Sequence, residues 1–310
     1  MKIFCWNCRG LGAADDPTIP FLLRSARQYH PPILFLQETL TTIAQASSRT
    51  PCLGLPNFCG VDSIGRSGGL LLRWDNSVVL TPISLDPHYI FCNIAISKPP
   101  CKNHVMYVLF IYGEARFEYR QSLWNRITAL ISGVTPLLLM GDFNQIELFS
   151  DKLGGTSVIR GQRDFIAWKF SHGLVDLPFF GPRFTWMNDQ LHSATIFERL
   201  DRAYANQDWC QLFPNASITN LPIFVSDHAP IILSMSPETS SRRRPYRIDN
   251  WCLNHPEVKQ LVPGTYLLLA LPCMWYHANL QLHAIQFCNG YDIIVFLAGL
   301  TGLILRRIWI

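Results

Sequence analysis

Apolar residues run along this chain in short stretches, most of them closed by a polar residue. Residues 2–7 (KIFCWN) alternate, with Ile3, Cys5 and Asn7 on one face and Phe4 and Trp6 on the other, the period of a buried strand. Residues 33–37 (ILFLQ) are a second strand, entered through Pro31-Pro32, because the residue before a proline is pushed out of the helical region. Between them, Pro20 to Tyr29 carries Leu22, Leu23 and Ala26 at helical spacing, so the chain opens β-α-β. Strand-like runs follow at 68–74, 77–85, 89–97 and 104–112, separated by turn residues, as in an antiparallel meander. Residues 117–131 predict an amphipathic helix with Leu123, Ile127, Leu130 and Ile131 on one face and Gly133 as its stop. Residues 136–140 are a core strand running into GDFN, and 163–171 a further helix; 183–187, 196–204, 216–222 and 231–235 alternate strand and loop. Mixed strands with helices at intervals predict an α/β sandwich, two packed mixed β-sheets with helices outside. No internal repeat is visible.

The pattern changes twice near the C-terminus. Residues 236–247 (SPETSSRRRPYR) are polar and basic and read as a linker; Arg242 to Arg244 are either a nucleic-acid or nuclear-import stripe or a solvated linker. From Pro263 onward only Asp292, Arg306 and Arg307 carry formal charge. Residues 293–305 are thirteen without a charge, short of the ~20 that a spanning helix needs. A membrane anchor is therefore disfavoured against an apolar extension without a selected fold. The expected organisation is a domain over 1–236, a basic linker over 237–262 and an apolar tail over 263–310.

Composition narrows the classes little. The chain of 310 residues is 49% hydrophobic, 15% charged and carries a formal net charge of +4, which does not by itself argue for nucleic acid. Cys5 and Cys8 form a C-x-x-C, but no second one follows among the ten cysteines and no His pair sits at finger spacing, so a structural zinc site is not expected. The two thiols would fall on opposite faces of a strand, which leaves Asn7 as the informative residue between them. A disulfide scaffold does not suit a chain with this much core. The N-terminus reads as a strand rather than a signal peptide, so the expected compartment is nuclear or cytoplasmic.

Strand ends carry the candidate chemistry, because open α/β sheets build sites at their rims. Asn7 ends the first strand, Glu38 the second, Asp142 and Asn144 end LLLMGDFN, and Asp227 and His228 precede the strand PIILSM. Each alone has a bland reading: a turn-capping Asn, a first-turn acid, an Asp-x-Asn turn, a satisfied loop His. Together, oxygen ligands and a His suit a hard divalent cation and a phosphate.

The order W-N, Q-E-T, Y-G, G-D-F-N and S-D-H-x-P resembles the exonuclease–endonuclease–phosphatase superfamily. The blocks WNCRGLG, FLQET, RSGGLLLRW, GDFNQI, DKLGG, GLVDL, FTWMND, ERLDRAYAN, WCQLFPNA and SDHAPIIL, in order from residue 1 to about 235, look like the endonuclease domain of a plant LINE-type non-LTR retrotransposon. YRIDNWCLNHPEV resembles the segment that joins this domain to a reverse transcriptase. The resemblance implies a DNase I-like four-layer sandwich that nicks DNA with Mg²⁺, or Mn²⁺ in its place, as a monomer and without a small-molecule cofactor. It implies that Glu38 and Asn7 hold the metal with Asp227 nearby. Asp142 would position or deprotonate the attacking water and Asn144 orient it. Tyr112 and His228 would contact the phosphate, and Asp201 would pair with the His. It further implies DNA contacts at Trp186, with Met187 and Leu200 beside it on the rim, where a buried Trp at a strand end is an equal reading, and at Arg66 and Ser67; Arg202 and Arg199 read as phosphate contacts or salt-bridge partners.

The chain departs from the superfamily pattern at Arg9, where many cellular relatives keep an acid and which becomes a DNA contact instead. It departs again at Glu114, an acid expected near the phosphate path. The family text ends after Val262. Two alternatives to an endonuclease stay open: an inactive DNA-binding relic, and a phosphodiesterase acting on another substrate.

Overall fold

The computed structural model describes residues 1–11, 17–65, 67–96, 104–156, 158–188 and 194–235, and the strand segments 281–288, 292–299 and 302–309. The chain divides into two compact units, Met1–Pro237 and Glu238–Ile310. The first unit begins β1 (Lys2–Asn7), α1 (Thr18–Tyr29), β2 (Ile33–Gln37), α2 (Ile43–Arg49), β3 (Asn57–Ile64) and β4 (Ser67–Trp74). It continues β5 (Val79–Asp86), β6 (Tyr89–Ile96), β7 (His104–Tyr112), α3 (Phe117–Ile131), β8 (Leu137–Asp142) and the short β9 (Lys152–Leu153). After α4 (Gln162–Ser171) come β10 (Val175–Asp176), β11 (Phe179–Phe180), β12 (Trp186–Met187) and β13 (Phe197–Glu198). The unit closes with β14 (Asp201–Ala205), α5 (Gln207–Leu212), β15 (Ser217–Asn220) and β16 (Ile231–Ser234).

Two mixed sheets form. One has the order β11-β15-β16-β1-β2-β4-β3, the other β10-β14-β8-β7-β6-β5, and β12-β13-β9 is a small third. The pairs β1–β2 and β7–β8 are parallel and the rest of both central regions is antiparallel. The alternation in KIFCWN splits as its period demands. Ile3 and Cys5 enter the core between the sheets with Phe35, Leu72, Val108, Phe110 and Met140. Phe4 and Trp6 pack outward with Leu22 of α1 and Ala46 of α2. On the opposite outer face Leu123, Trp124 and Ile127 of α3 and Phe165 and Trp168 of α4 cover Leu109, Ile111, Leu137 and Leu139. The result is the expected α/β sandwich of helix, sheet, sheet and helix.

Three elements differ from the expectation of the pattern. The edge strand β3 goes unmarked, because NFCGVDSI mixes glycine and acid into its alternation and is half exposed. The helix α5 escapes periodicity at six residues; the Asn206 side chain caps it by accepting from Trp209 N. The stretch 196–204 is not one strand but β13 and the start of β14, on different sheets.

The second unit holds β17 (Gln281–Cys288), β18 (Asp292–Gly299) and β19 (Gly302–Trp309), antiparallel with β18 in the middle. The uncharged stretch 293–305 is thus shared by two strands. Among the described residues no helix is long and apolar enough to cross a membrane. The expected linker over 237–262, including Arg242 to Arg244, lies outside the described residues.

Candidate active site

The ends of β1, β2, β7 and β8 meet at one rim. Parallel pairing sets Asn7 beside Gln37 and Tyr112 beside Asp142, and antiparallel pairing sets Asp201 opposite Asp142. Close approach of the strands needs glycine: a Cβ on Gly141 would meet the Ile111 carbonyl at 1.9 Å, and its φ is +150°. A Cβ on Gly113 would meet the Phe143 carbonyl at 2.2 Å.

Asn7 is the hub. Its Nδ2 donates to Glu38 Oε1 and to Asp142 Oδ2, both at 3.1 Å. Tyr112 donates its hydroxyl to the same Glu38 oxygen at 2.7 Å. Burial, then the Glu38 carboxylate beside it, push the Tyr112 pKa well up, so it stays a neutral donor. Asn144 donates its backbone N–H to Asp142 Oδ1 at 2.8 Å and its amide to Gly113 O at 2.8 Å.

His228 forms the second half. Its Nδ1 lies 3.0 Å from Asp201 Oδ2 and its Nε2 3.7 Å from Asp142 Oδ2, all three residues being buried. Burial alone would lower the His228 pKa; Asp201 and Asp142 outweigh it and push it up to about 10. Asp142 is held above the usual carboxylate range, first by burial and then by Asp201, against the pull of His228. Asp201 is positioned by Thr185, whose hydroxyl accepts the Leu200 and Asp201 N–H groups. Ser226 ties the loop to β1 by donating to Asn7 O at 2.9 Å, and Trp6 donates to His228 O at 3.0 Å. Thr185 carries no mark in the sequence, and Ser226 shows only as part of S-D-H; buried positioning hydroxyls leave no periodic signal.

Through Glu38, Asn144 and His228 the site reaches an open cleft of about 260 Å³, lined also by Arg9, Arg120, Trp186, Glu198, Leu200 and Asp227. Arg9, Glu38 and Asn144 each hold a positive φ, at 52°, 50° and 48°. Left-handed backbone is unfavourable for residues with a Cβ and concentrates at functional sites.

The donor set fits a hard divalent cation. Two carboxylates, Glu38 and Asp142, converge on one neutral amide, an arrangement a cation would stabilise, and the atoms there able to ligate it are oxygens, since an amide nitrogen does not bind a hard cation. The triad Asp142, Asp201 and His228 also brings one ligand atom each within 4.8 Å of one another. That triad is buried and His228 Nδ1 is already engaged by Asp201, so the cleft floor suits an ion that keeps waters better.

Several expected contacts fall elsewhere. Arg202 is buried, not at a DNA surface: its guanidinium meets Asp151 at 2.5 Å and Asp176 at 2.8 Å. Arg199 pairs with Asp176 at 2.7 Å, the salt-bridge alternative. Asp227, expected near the metal, is committed to Arg9 Nη1 at 2.6 Å and Trp186 Nε1 at 3.0 Å on the cleft wall. Arg9 therefore neutralises an acid, with its side chain still 58% exposed. Trp186 lines the cleft half-buried, and Met187 follows it in β12. Ser67 is exposed at the start of β4, and Arg66 lies outside the described residues. Glu114 turns away from the cleft: it accepts the Arg116 backbone N–H at 2.9 Å and lies 3.7 Å from His88. Burial works against its charge, but the Arg116 donors and His88 hold its pKa low.

A two-sheet sandwich whose rim gathers carboxylates, amides, a tyrosine and an Asp-paired His defines a phosphoester-hydrolase type of site. The sequence matches the endonuclease/exonuclease/phosphatase family over residues 4–228, and the chain belongs to that family. No curated protein matches the sequence. Among solved structures, the AP endonuclease LMAP from Leishmania major aligns with TM-score 0.60 and 15% identity, over 75% of this chain and 86% of that one. The endonuclease domain of TRAS1, a telomere-specific non-LTR retrotransposon, aligns with TM-score 0.55 and 13% identity, over 77% and 99%. The 3′-5′ exonuclease NExo from Neisseria meningitidis aligns with TM-score 0.54 and 18% identity, over 76% and 100%. At these identities the likeness is one of fold.

Proposed function

We propose that the first unit is a Mg²⁺- or Mn²⁺-dependent endonuclease that hydrolyses phosphodiester bonds in DNA, derived from a plant LINE-type non-LTR retroelement. The observation that carries the hydrolase reading is the connected set Tyr112–Glu38–Asn7–Asp142–His228–Asp201, which reaches an open cleft through Glu38 and His228. The retroelement and plant origin rest on the sequence blocks alone. Glu38 and Asn7 would hold the cation, which when bound supplies charge neutralisation at the phosphate and a more acidic water.

The chain's own residues do the rest. Asp142, held above the ordinary carboxylate range, is a stronger base than a surface acid and takes the proton of the attacking water. Asn144 orients that water from its left-handed backbone. His228 is protonated at neutral pH and donates through Nε2 to a phosphate oxygen, while Asp201 fixes the ring through Nδ1. Tyr112 offers a neutral hydroxyl to the phosphate or the leaving oxygen. The protein would act on DNA as a monomer, in the nucleus or cytoplasm. Conversion of supercoiled plasmid to nicked circle, with Mg²⁺, with Mn²⁺ and with EDTA, tests this. Nicking undiminished in Asp142→Ala or His228→Ala would overturn it.

A further inference from the structure

We propose that Arg120 and Arg160 form a phosphate subsite beside the reacting centre, which takes a neighbouring phosphate of a polynucleotide strand. The inference rests on the nuclease reading above and narrows it to polymeric substrates. Among the charged side chains of the cleft, Arg9 is paired with Asp227, Glu198 is paired with Lys152 at 2.9 Å, and Glu38 accepts from Tyr112 and Asn7. Arg120 has no carboxylate within ion-pair distance among the described residues. Its Nε donates to Glu114 O, its Nη1 to Gln145 Oε1 and its Nη2 to Ala115 O, each at 2.9 Å. These acceptors are neutral. They aim the guanidinium and leave part of its donor set free and its charge without a carboxylate in direct contact. A partly buried charge without a counter-ion is unfavourable. Burial accordingly lowers the Arg120 pKa, and Arg160 adds to that effect against the pull of Asp142, Glu114 and Glu198.

Arg160 brings a second such charge to the same place. Its guanidinium lies 4.8 Å from the ring centroid of Phe117, which stands one helical turn before Arg120 on α3. The buried Gln145 ties the two arginines together. It accepts from Arg120 and donates to Arg160 O at 3.1 Å. Arg160 is exposed and also has no carboxylate partner among the described residues. Two like charges gathered over one turn of helix repel each other unless an anion joins them, and arginine donors match phosphate oxygens. Arg120 lines the cleft together with Asn144, so the subsite flanks the centre on that side. A lone phosphomonoester in the centre would leave it empty, whereas a strand engages both.

The test is binding of a short labelled DNA duplex to the full chain in EDTA, followed by fluorescence anisotropy across a KCl titration. Removing one phosphate-binding cation should flatten the log–log salt dependence by about 1. Arg160→Gln and Arg120→Met should each do so, and Arg160→Lys should restore the slope. A duplex with a single neutral methylphosphonate linkage, moved along the strand, should reproduce the flattening at one position, where Arg160→Gln then weakens binding no further. Arg120→Met also cuts the ties to residues 114–115; if it does not fold, Arg160→Gln decides. An unchanged slope in folded Arg160→Gln overturns the subsite. If wild type still nicks plasmid in that case, only the subsite falls. If wild type binds with the expected slopes but nicks nothing with Mg²⁺ or Mn²⁺, the subsite stands and the endonuclease reading falls.

Discussion

Replacing Arg202 by methionine separates a structural arginine from a DNA contact. The guanidinium is buried and touches three acids: Asp151 at 2.5 Å, Asp176 at 2.8 Å and Glu147 at 3.7 Å. Asp176 keeps Arg199, and Glu147 keeps Lys169 and the Tyr204 hydroxyl. Asp151, itself buried, keeps the Leu148 N–H at 3.0 Å and, of its cationic partners, only the exposed Arg183 at 3.9 Å. Methionine retains most of the apolar stem, so the loss is mainly electrostatic. Breaking a buried pair by removing one partner costs about 3–5 kcal/mol. For a unit of this size each kcal/mol moves Tm by about 2–4 °C, so the expected fall is about 6–20 °C. Thermal unfolding followed by circular dichroism reads it, and Asp151→Asn in the same chain should recover part of the loss by removing the stranded charge. The salt slope of DNA binding by the folded variant should not change. A Tm within about 2 °C of wild type together with a slope lowered by about 1 would refute the reasoning and return Arg202 to the DNA surface.

Three further outcomes are expected. Asp201→Asn should cut plasmid nicking by about 10²–10⁴, because the His loses the anion that orients its ring and raises its pKa; the pH profile should shift with it, which a merely destabilised variant would not show. In EDTA, stability should fall as pH rises: His228, raised in the folded state to about 10, contributes fully below its unfolded value of about 6.5 and loses that contribution as pH climbs through the folded value. Urea unfolding of wild type and His228→Gln at several pH values should show the two converging toward the alkaline end. At Glu38, with φ +50°, Glu38→Gly should be more stable than Glu38→Ala by about 1 kcal/mol although both lose nicking, since only glycine adopts that backbone freely; equal stability would mean the backbone there is unstrained.

What the sequence made legible follows from what periodicity can encode. KIFCWN announced both its faces, and the structure puts Ile3 and Cys5 in one core and Phe4 and Trp6 in another. Polar endings of apolar strands marked Asn7, Glu38 and Asp142, which strand register then brings to one rim. Arg202 stayed open between a phosphate contact and a salt-bridge partner because charge in a sequence carries no depth, and the structure chooses the second. In β14 its neighbours Ala203, Tyr204 and Ala205 are all buried, and the acids that receive it come from residues 26 to 55 positions away. Glu114 misled for a related reason. Its place after Tyr112 pointed to the phosphate path, but Arg116, two residues on, folds back on it and His88 arrives from the β5–β6 turn. Arg120 escaped notice because it sits on the polar side of a helix chosen for its apolar face.

The two halves of the site divide rigidity from strain. Asp201 and His228 sit buried behind Thr185, Ser226 and Trp6, with their orientation fixed by neutral hydroxyls and backbone. Glu38, Asn144 and Arg9, at the mouth, hold left-handed backbone that each could relieve by moving. The hydrogen bonds from Tyr112 and Asn7 to Glu38, from Asn144 N to Asp142, and from Arg9 to Asp227 oppose that relief. Each such bond contributes about 0.5–3 kcal/mol, against about 1–2 kcal/mol per left-handed residue, so the balance at the mouth is close. A ligand that replaces one of those donors therefore competes for a carboxylate whose present partner is not strongly preferred. That is the physical sense in which Glu38, held only by neutral donors, is more open to an incoming cation than Asp227, which is paired with Arg9, or the deeply held Asp201.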